Sequence, residues 1–179
     1  MNEVIKILKT GGIGVMPTDT IYGLVGSALN RKTVERIYKV RRRNPKKPLI
    51  ILIGSLADLK LFGIKPNVKM QRILRRVWPG PVSVILSCKS KKFAYLHRGT
   101  KTLAFRLPKK KGLLSLLKET GPLVAHSANW EGQPPAKNIR EAKKYFGEEI
   151  DFYRGKIDLI GRPSKLIKVF NQKILILRK

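Results

Sequence analysis

Short apolar runs alternate along this chain with stretches of helical periodicity, and that alternation restricts the fold more than any single motif does. Residues 49–53 (LIILI) are apolar throughout and too short for a buried helix, so they read as a buried strand. Residues 31–41 place Val34, Ile37 and Tyr38 at helical spacing. Residues 11–17 read as a turn and then a buried strand, and further strands are expected over 82–86, 102–107, 123–125, 166–170 and 174–177. Helices are expected over 2–8, 56–62, 68–77, 113–119 and 139–146. Strands interleaved with helices in this way define an α/β domain, a central sheet covered by helices. The strand order is not readable from the pattern. The WPGP stretch at Trp78 to Pro81 breaks the chain sharply, and residues 89–92 and 108–112 (PKKKG) read as charged loops.

The 179 residues suit one domain spanning 1–179, with no internal repeat and no long linker. Lys plus Arg number 39 against 11 Asp plus Glu, a formal charge of +28. Such an excess suits a polyanionic partner such as RNA, or equally a solvated lysine-rich surface. The single cysteine, Cys88, excludes an internal disulfide framework and reads as a small buried hydrophobe. No apolar run nears the roughly 20 residues that span a bilayer. Nor does the N-terminal sequence carry the apolar stretch of a secretory signal. A cytoplasmic protein with no membrane contact is the expectation.

Five segments can carry chemistry. PTDTIYGL (residues 17–24) puts Thr18, Asp19, Thr20 and Tyr22 at a strand end, where open α/β sheets bind ligands. Taken alone it reads better as a capped turn, with Asp19 and the threonines bonded to local backbone. KVRRRNPKKPL (residues 39–49) concentrates cations between a helix end and a strand. It suits a solvated helix terminus, or a phosphate grip by arginine forks that is also the foremost RNA contact. In TLAFRLP (residues 102–108), Arg106 alternates with Phe105 and Leu107, so it faces away from the core. It is either an exposed strand residue or a carboxylate grip. LVAHSANWEGQPPA (residues 123–136) leads a strand into Ser127 and Asn129. No GxSxG elbow surrounds Ser127, so phosphate binding is the better reading than nucleophilic attack. His126 reads as structural. GRPSKLIKV (residues 161–169) places Ser164 just before a strand. There is no Walker P-loop, no GxGxxG and no metal-ligand cluster.

Together and in this order, with the WPGP stretch, the segments resemble the YrdC-like family, the threonylcarbamoyl-AMP synthases. The resemblance runs from Gly11 to about Val169. It implies a twisted mixed sheet with helices packed on it and a basic concave face. It implies an L-threonylcarbamoyladenylate synthase that joins L-threonine, bicarbonate and ATP, releasing pyrophosphate. A threonylcarbamoyl transferase complex would then move the product to adenosine 37 of tRNA. By resemblance Thr20, Arg106, Ser164 and Ala125 hold threonine, with Thr18 and Tyr22 in support. Arg41, Arg43, Lys47, Thr102, Ser127 and Asn129 hold ATP, and Mg2+ rides on the ATP phosphates. The family's KxR element falls on Arg41 to Arg43, with arginine for the usual lysine. Asn44 stands for a usual proline, Leu52 and Lys110 for common histidines, and Lys165 for a common threonine. Two other readings stand beside it: a basic RNA-binding module without catalysis, and a carbamoyl-transfer domain of a larger enzyme.

Overall fold

The computed structural model describes residues 2–170 and 173–179, and in it nine strands form one mixed sheet. The elements run α1 (Asn2–Lys9), β1 (Ile13–Pro17), β2 (Tyr22–Ser27), α2 (Arg31–Val40), β3 (Ile50–Leu52), a 3-10 helix (Leu56–Phe62) and α3 (Val68–Val77). They continue with β4 (Val82–Ser87), a 3-10 turn (Lys91–Phe93), α4 (Ala94–His97), β5 (Thr102–Arg106), α5 (Lys111–Thr120) and β6 (Leu123–Ser127). The last are α6 (Ile139–Phe146), β7 (Phe152–Tyr153), β8 (Lys165–Phe170) and β9 (Lys173–Arg178). The spatial order is β7-β1-β2-β6-β3-β5-β4-β8-β9.

Several local expectations are corrected. Residues 22–27 form a strand that alternation does not reveal, because glycines interrupt YGLVGS and both faces are buried. The helix expected over 56–62 is a 3-10 helix with a Ser55–Asp58 capping box. The loop expected over 108–112 ends early, since α5 begins at Lys111. β6 runs two residues past Ala125, which makes His126 and Ser127 strand-end residues.

Side-chain alternation assigns the two faces. Tyr22, Leu24, Ile51, Phe105, Val124 and Val84 belong to a large cluster that also holds Val34 and Ile37 of α2 and Leu74 of α3. The other face contributes Val25, Leu52, Leu123 and Ala125, which pack under Leu8 of α1 and Leu113, Leu116 and Leu117 of α5. Asn30, Asn67 and Asn138 cap α2, α3 and α6, each accepting a bond from a backbone N–H three residues on. Cys88 is buried, as expected.

Asp151 ties three elements together. It accepts from the Ile13 backbone N–H at 2.7 Å and from Arg36 Nη1 at 2.6 Å, joining β1, α2 and the approach to β7. Burial raises its pKa, but the Arg36 and Ile13 bonds outweigh burial and lower it overall. A carboxyl with a depressed folded pKa stabilises the fold above its unfolded value, about 3.9, and that share is lost as pH falls through the folded value. Asp151→Asn is expected to cost about 1 kcal/mol at pH 7, a figure discounted for partial exposure. The gap from wild type should close as the pH is lowered through the folded-state pKa, which lies below the unfolded value, in denaturant titrations. A gap that persists in acid would show that packing, not charge, is what Asn loses.

Candidate active site

Helices α1 and α5 cover only part of their sheet face, and the uncovered part forms a hollow. It is lined by Thr18, Thr20, Ile21, Gly23, Ile50, Arg106, Ala125, His126, Ser127, Pro163, Ser164 and Arg178. Its empty volume, counted out to the open mouth and including solvent space, is about 440 Å³. Strands β2, β3, β5, β6, β8 and β9 or the approaches to them converge here, which is why residues so far apart in sequence meet.

Arg106 anchors the closed end. β3 and β5 pair in parallel with Leu52 opposite Arg106, which turns the guanidinium away from Phe105 and toward the hollow. Nη1 donates to Thr20 Oγ1 at 3.1 Å. Thr18 Oγ1 lies 3.2 Å from Thr20 Oγ1 and donates its own proton to the Ile21 carbonyl at 2.7 Å. A hydroxyl carries one proton, so Thr20 is the donor in the threonine pair. Thr20 thus accepts from Arg106, donates to Thr18, and keeps one lone pair for a guest. Asp19 bonds no local turn: its Oδ1 stands 3.0 Å from Arg106 Nη2.

The opposite wall comes from β6 and the loop after it. Arg41, at the C-cap of α2, is 1% exposed. Nε donates to the Ser127 carbonyl at 3.0 Å, and Nη2 reaches Ser127 Oγ at 3.4 Å and Asn129 Oδ1 at 3.3 Å. Burial, then repulsion from Arg43, lowers its pKa to about 10. Arg41 is thus enclosed, not open to the hollow, and it holds the Ser127–Asn129 segment in shape. The Asn129 amide donates to the carbonyls of Trp130 and Gln133, which fixes the same loop.

Arg43 and Lys47 lie off the hollow's lining. Arg43 donates to the carbonyls of Lys47 and Pro48, and Lys47 Nζ meets Glu131 Oε1 at 2.8 Å. Glu131 also accepts from the Asn44 N–H at 2.6 Å, clamping the basic loop onto the loop after β6. Those bonds, the Asn44 N–H first and Lys47 next, lower the Glu131 pKa. Arg42 stacks on Trp130, 3.7 Å from the ring centroid.

Tyr22 does not line the hollow. It faces the α2 side of the sheet, and its hydroxyl donates to the Ile157 carbonyl at 2.7 Å. Thr102 shares the Arg106 face of β5 but sits four residues away, about 13 Å along the strand, and outside the lining. Thr18, Thr20, Arg106, Ala125, Ser127 and Ser164 do meet. Ser164 Oγ lies 2.9 Å from Ser83 Oγ.

Arg178 was not singled out in the sequence. The β8–β9 hairpin brings it back to Ser164, whose carbonyl accepts from Nε at 3.0 Å and Nη2 at 2.8 Å. The one available signal was a cation ending the apolar run ILILR. His126, read as structural, does touch the lining. Burial first, then Arg41, Arg43 and Arg178, holds its pKa well below the usual histidine range, so it is neutral at pH 7.

A hollow with a buried arginine fork at one end and further arginines near its rim suits an amino acid together with a phosphate-bearing compound. A family model described as "Telomere recombination" (Sua5_yciO_yrdC) matches residues 6–179. The chain belongs to this Sua5/YciO/YrdC family. A Bacillus subtilis (strain 168) protein named threonylcarbamoyl-AMP synthase is 32% identical over 98% of this chain and 52% of its own length. A Laribacter hongkongensis protein of the same name is 28% identical over 94% of this chain and 91% of its own. The crystal structure of Pyrococcus abyssi Sua5 complexed with L-threonine superposes with a TM-score of 0.88, at 28% identity over 98% of this chain and 52% of that one. The chain thus spans about half the length of the B. subtilis and P. abyssi proteins.

Proposed function

We propose that this chain, acting as one YrdC-like domain over residues 1–179, is an L-threonylcarbamoyladenylate synthase. The observation that carries the reading is the shared hollow, with Arg106 and Thr20 at one end and the Arg41-braced Ser127 at the other. The matches to proteins named for this activity support it. Arg106 takes the threonine carboxylate, while Thr20, Ser164 and Ala125 orient the molecule. The amine forms an N–C bond with carbon dioxide from bicarbonate and loses a proton. A carbamate oxygen then attacks the α-phosphorus of ATP, the Pα–O bond to the β-phosphate breaks, and pyrophosphate leaves.

Catalysis in this reading is positioning plus charge stabilisation. Ser127 and Arg178 border the phosphates, and Thr102 lies further along the same face, toward the nucleoside. Arg43 and Lys47 reach the triphosphate by releasing Glu131. Among the described residues no group of three or more His, Cys, Asp or Glu stands together, and the polar lining of the hollow is hydroxyls, His126 and two arginines, with no carboxylate. Mg2+ is accordingly placed on the ATP phosphates, where it supplies charge neutralisation. Transfer to tRNA by a partner complex, a cytoplasmic setting and a basic concave face belong to the same proposal. Among the described residues no helix is long and apolar enough to cross a membrane.

The test is pyrophosphate release by the purified chain. Release is expected only with L-threonine, bicarbonate and ATP all present. Release that ignores threonine, or none at all, would sink the reading. The competing RNA-binding module instead expects no ATP turnover and an RNA affinity that falls steeply with salt.

A further inference from the structure

Asp19 belongs to no role assigned so far, yet it makes the closest contact with the buried arginine. Its carboxylate and the Arg106 guanidinium are 9% and 5% exposed. The 3.0 Å contact joins Oδ1 to Nη2, but Oδ1 has no hydrogen-bond partner, and neither does Arg106 Nε. The pair therefore cancels charge without using up donors. Arg106 keeps an Nη2–H direction for a guest, while Nε is buried without a partner.

The surroundings make that cancellation matter. Burial pulls the Arg106 pKa down, the Asp19 charge holds against the fall, and the Arg178 charge adds to it. Arg41, Arg43 and Arg178 all act on His126 at the other wall. A desolvated cluster of guanidinium groups with no internal counter-charge would hold any small anion that entered. In the proposed reaction phosphate groups are both substrate and product, so such trapping would block the amino-acid end.

We propose that Asp19 is the specificity-determining residue of the Arg106 end: it offsets the Arg106 charge where Lys110 Nζ, 3.3 Å from the Thr18 carbonyl, and Arg178 add further cations, so an amino-acid zwitterion fits and free inorganic anions are disfavoured. The zwitterion brings one negative and one positive group and meets Arg106 and Asp19 without net repulsion. A phosphate ion meets the Asp19 carboxylate with like charge. The identity of the amino acid rests on the synthase reading; the exclusion of anions does not.

Calorimetric titration of the full chain with L-threonine and with inorganic phosphate tests this. In the wild-type protein phosphate is expected to leave threonine affinity unchanged. Asp19→Asn, which keeps the shape and removes the charge, should gain a phosphate site at least roughly tenfold tighter than any in wild type. Phosphate should compete with threonine there. The double variant Asp19→Asn/Arg106→Gln should lose that site again. Asp19→Glu keeps the charge and is expected to keep the exclusion, which separates charge from packing. Competition between phosphate and threonine on the wild type, a measurement that needs no variant to fold, overturns the proposal. So does equal phosphate affinity in wild type and Asp19→Asn. A wild type that binds no threonine would sink the synthase reading alone, since the phosphate comparison between single and double variants still reports on Asp19.

Discussion

Arg106→Ala is expected to raise the KM for threonine by roughly 100-fold or more, with the KM for ATP little changed. A charge-assisted hydrogen bond contributes about 1.5–3 kcal/mol. A fork gripping a carboxylate makes two, and each 1.4 kcal/mol is about tenfold in affinity. The guanidinium is buried, so water cannot replace the lost grip cheaply. Alanine also strands the Asp19 carboxylate in its 9% exposed position. A lower melting temperature is expected alongside, because one buried charge without its partner is costly. Kinetics should therefore be read well below the melting point. Arg106→Lys keeps charge without the planar fork, and should recover stability better than threonine affinity. The site assignment fails if Arg106→Ala, confirmed folded, turns over threonine with a wild-type KM.

Arg41→Ala should be the most destabilising single change at the opposite wall. The side chain is fully enclosed and bonds the Ser127 carbonyl, Ser127 Oγ and Asn129 Oδ1. Its loss leaves buried acceptors unpaired and opens a large gap at the end of α2. A cost of about 3–5 kcal/mol is expected. In a chain this long that is a fall of roughly 6–20 °C in melting temperature. Arg41→Lys should not rescue it, since one ammonium cannot span three acceptors on two residues. ATP use should weaken in both variants, because the end of β6 that bears Ser127 loses its brace. A melting temperature within about 2 °C of wild type would show that Ser127 and Asn129 hold their shape without Arg41.

The contrast between these two arginines shows where sequence reasoning reached and where it stopped. Arg106 sits between Phe105 and Leu107 in a strand, and period-two alternation alone turns it off the core. Its direction was legible; its partners were not. Arg41 lies in a run of three arginines with nothing local to tell which one turns inward. Its direction is decided at the end of α2, where the chain meets the end of β6, 86 residues further on. Asp19 reads as an ordinary turn residue until β5 is laid nearby. Arg178 enters the hollow only because the β8–β9 hairpin returns it beside Ser164. Tyr22 looked like a site residue from its neighbours in PTDTIYGL, yet Gly23, one step along β2, is the residue whose face turns to the hollow.

Local patterning by itself determined the α/β class, most element positions and the polar strand ends that could hold a ligand. Apolar periodicity, turn residues and caps act over a few neighbours, so they can be read in line. The order of the nine strands, the uncovered patch of one sheet face and the choice of inward-facing arginines were decided only by the tertiary structure. These depend on pairing between distant segments and on which helices shield which face. The energy of a buried charge is set by partners that no local window contains.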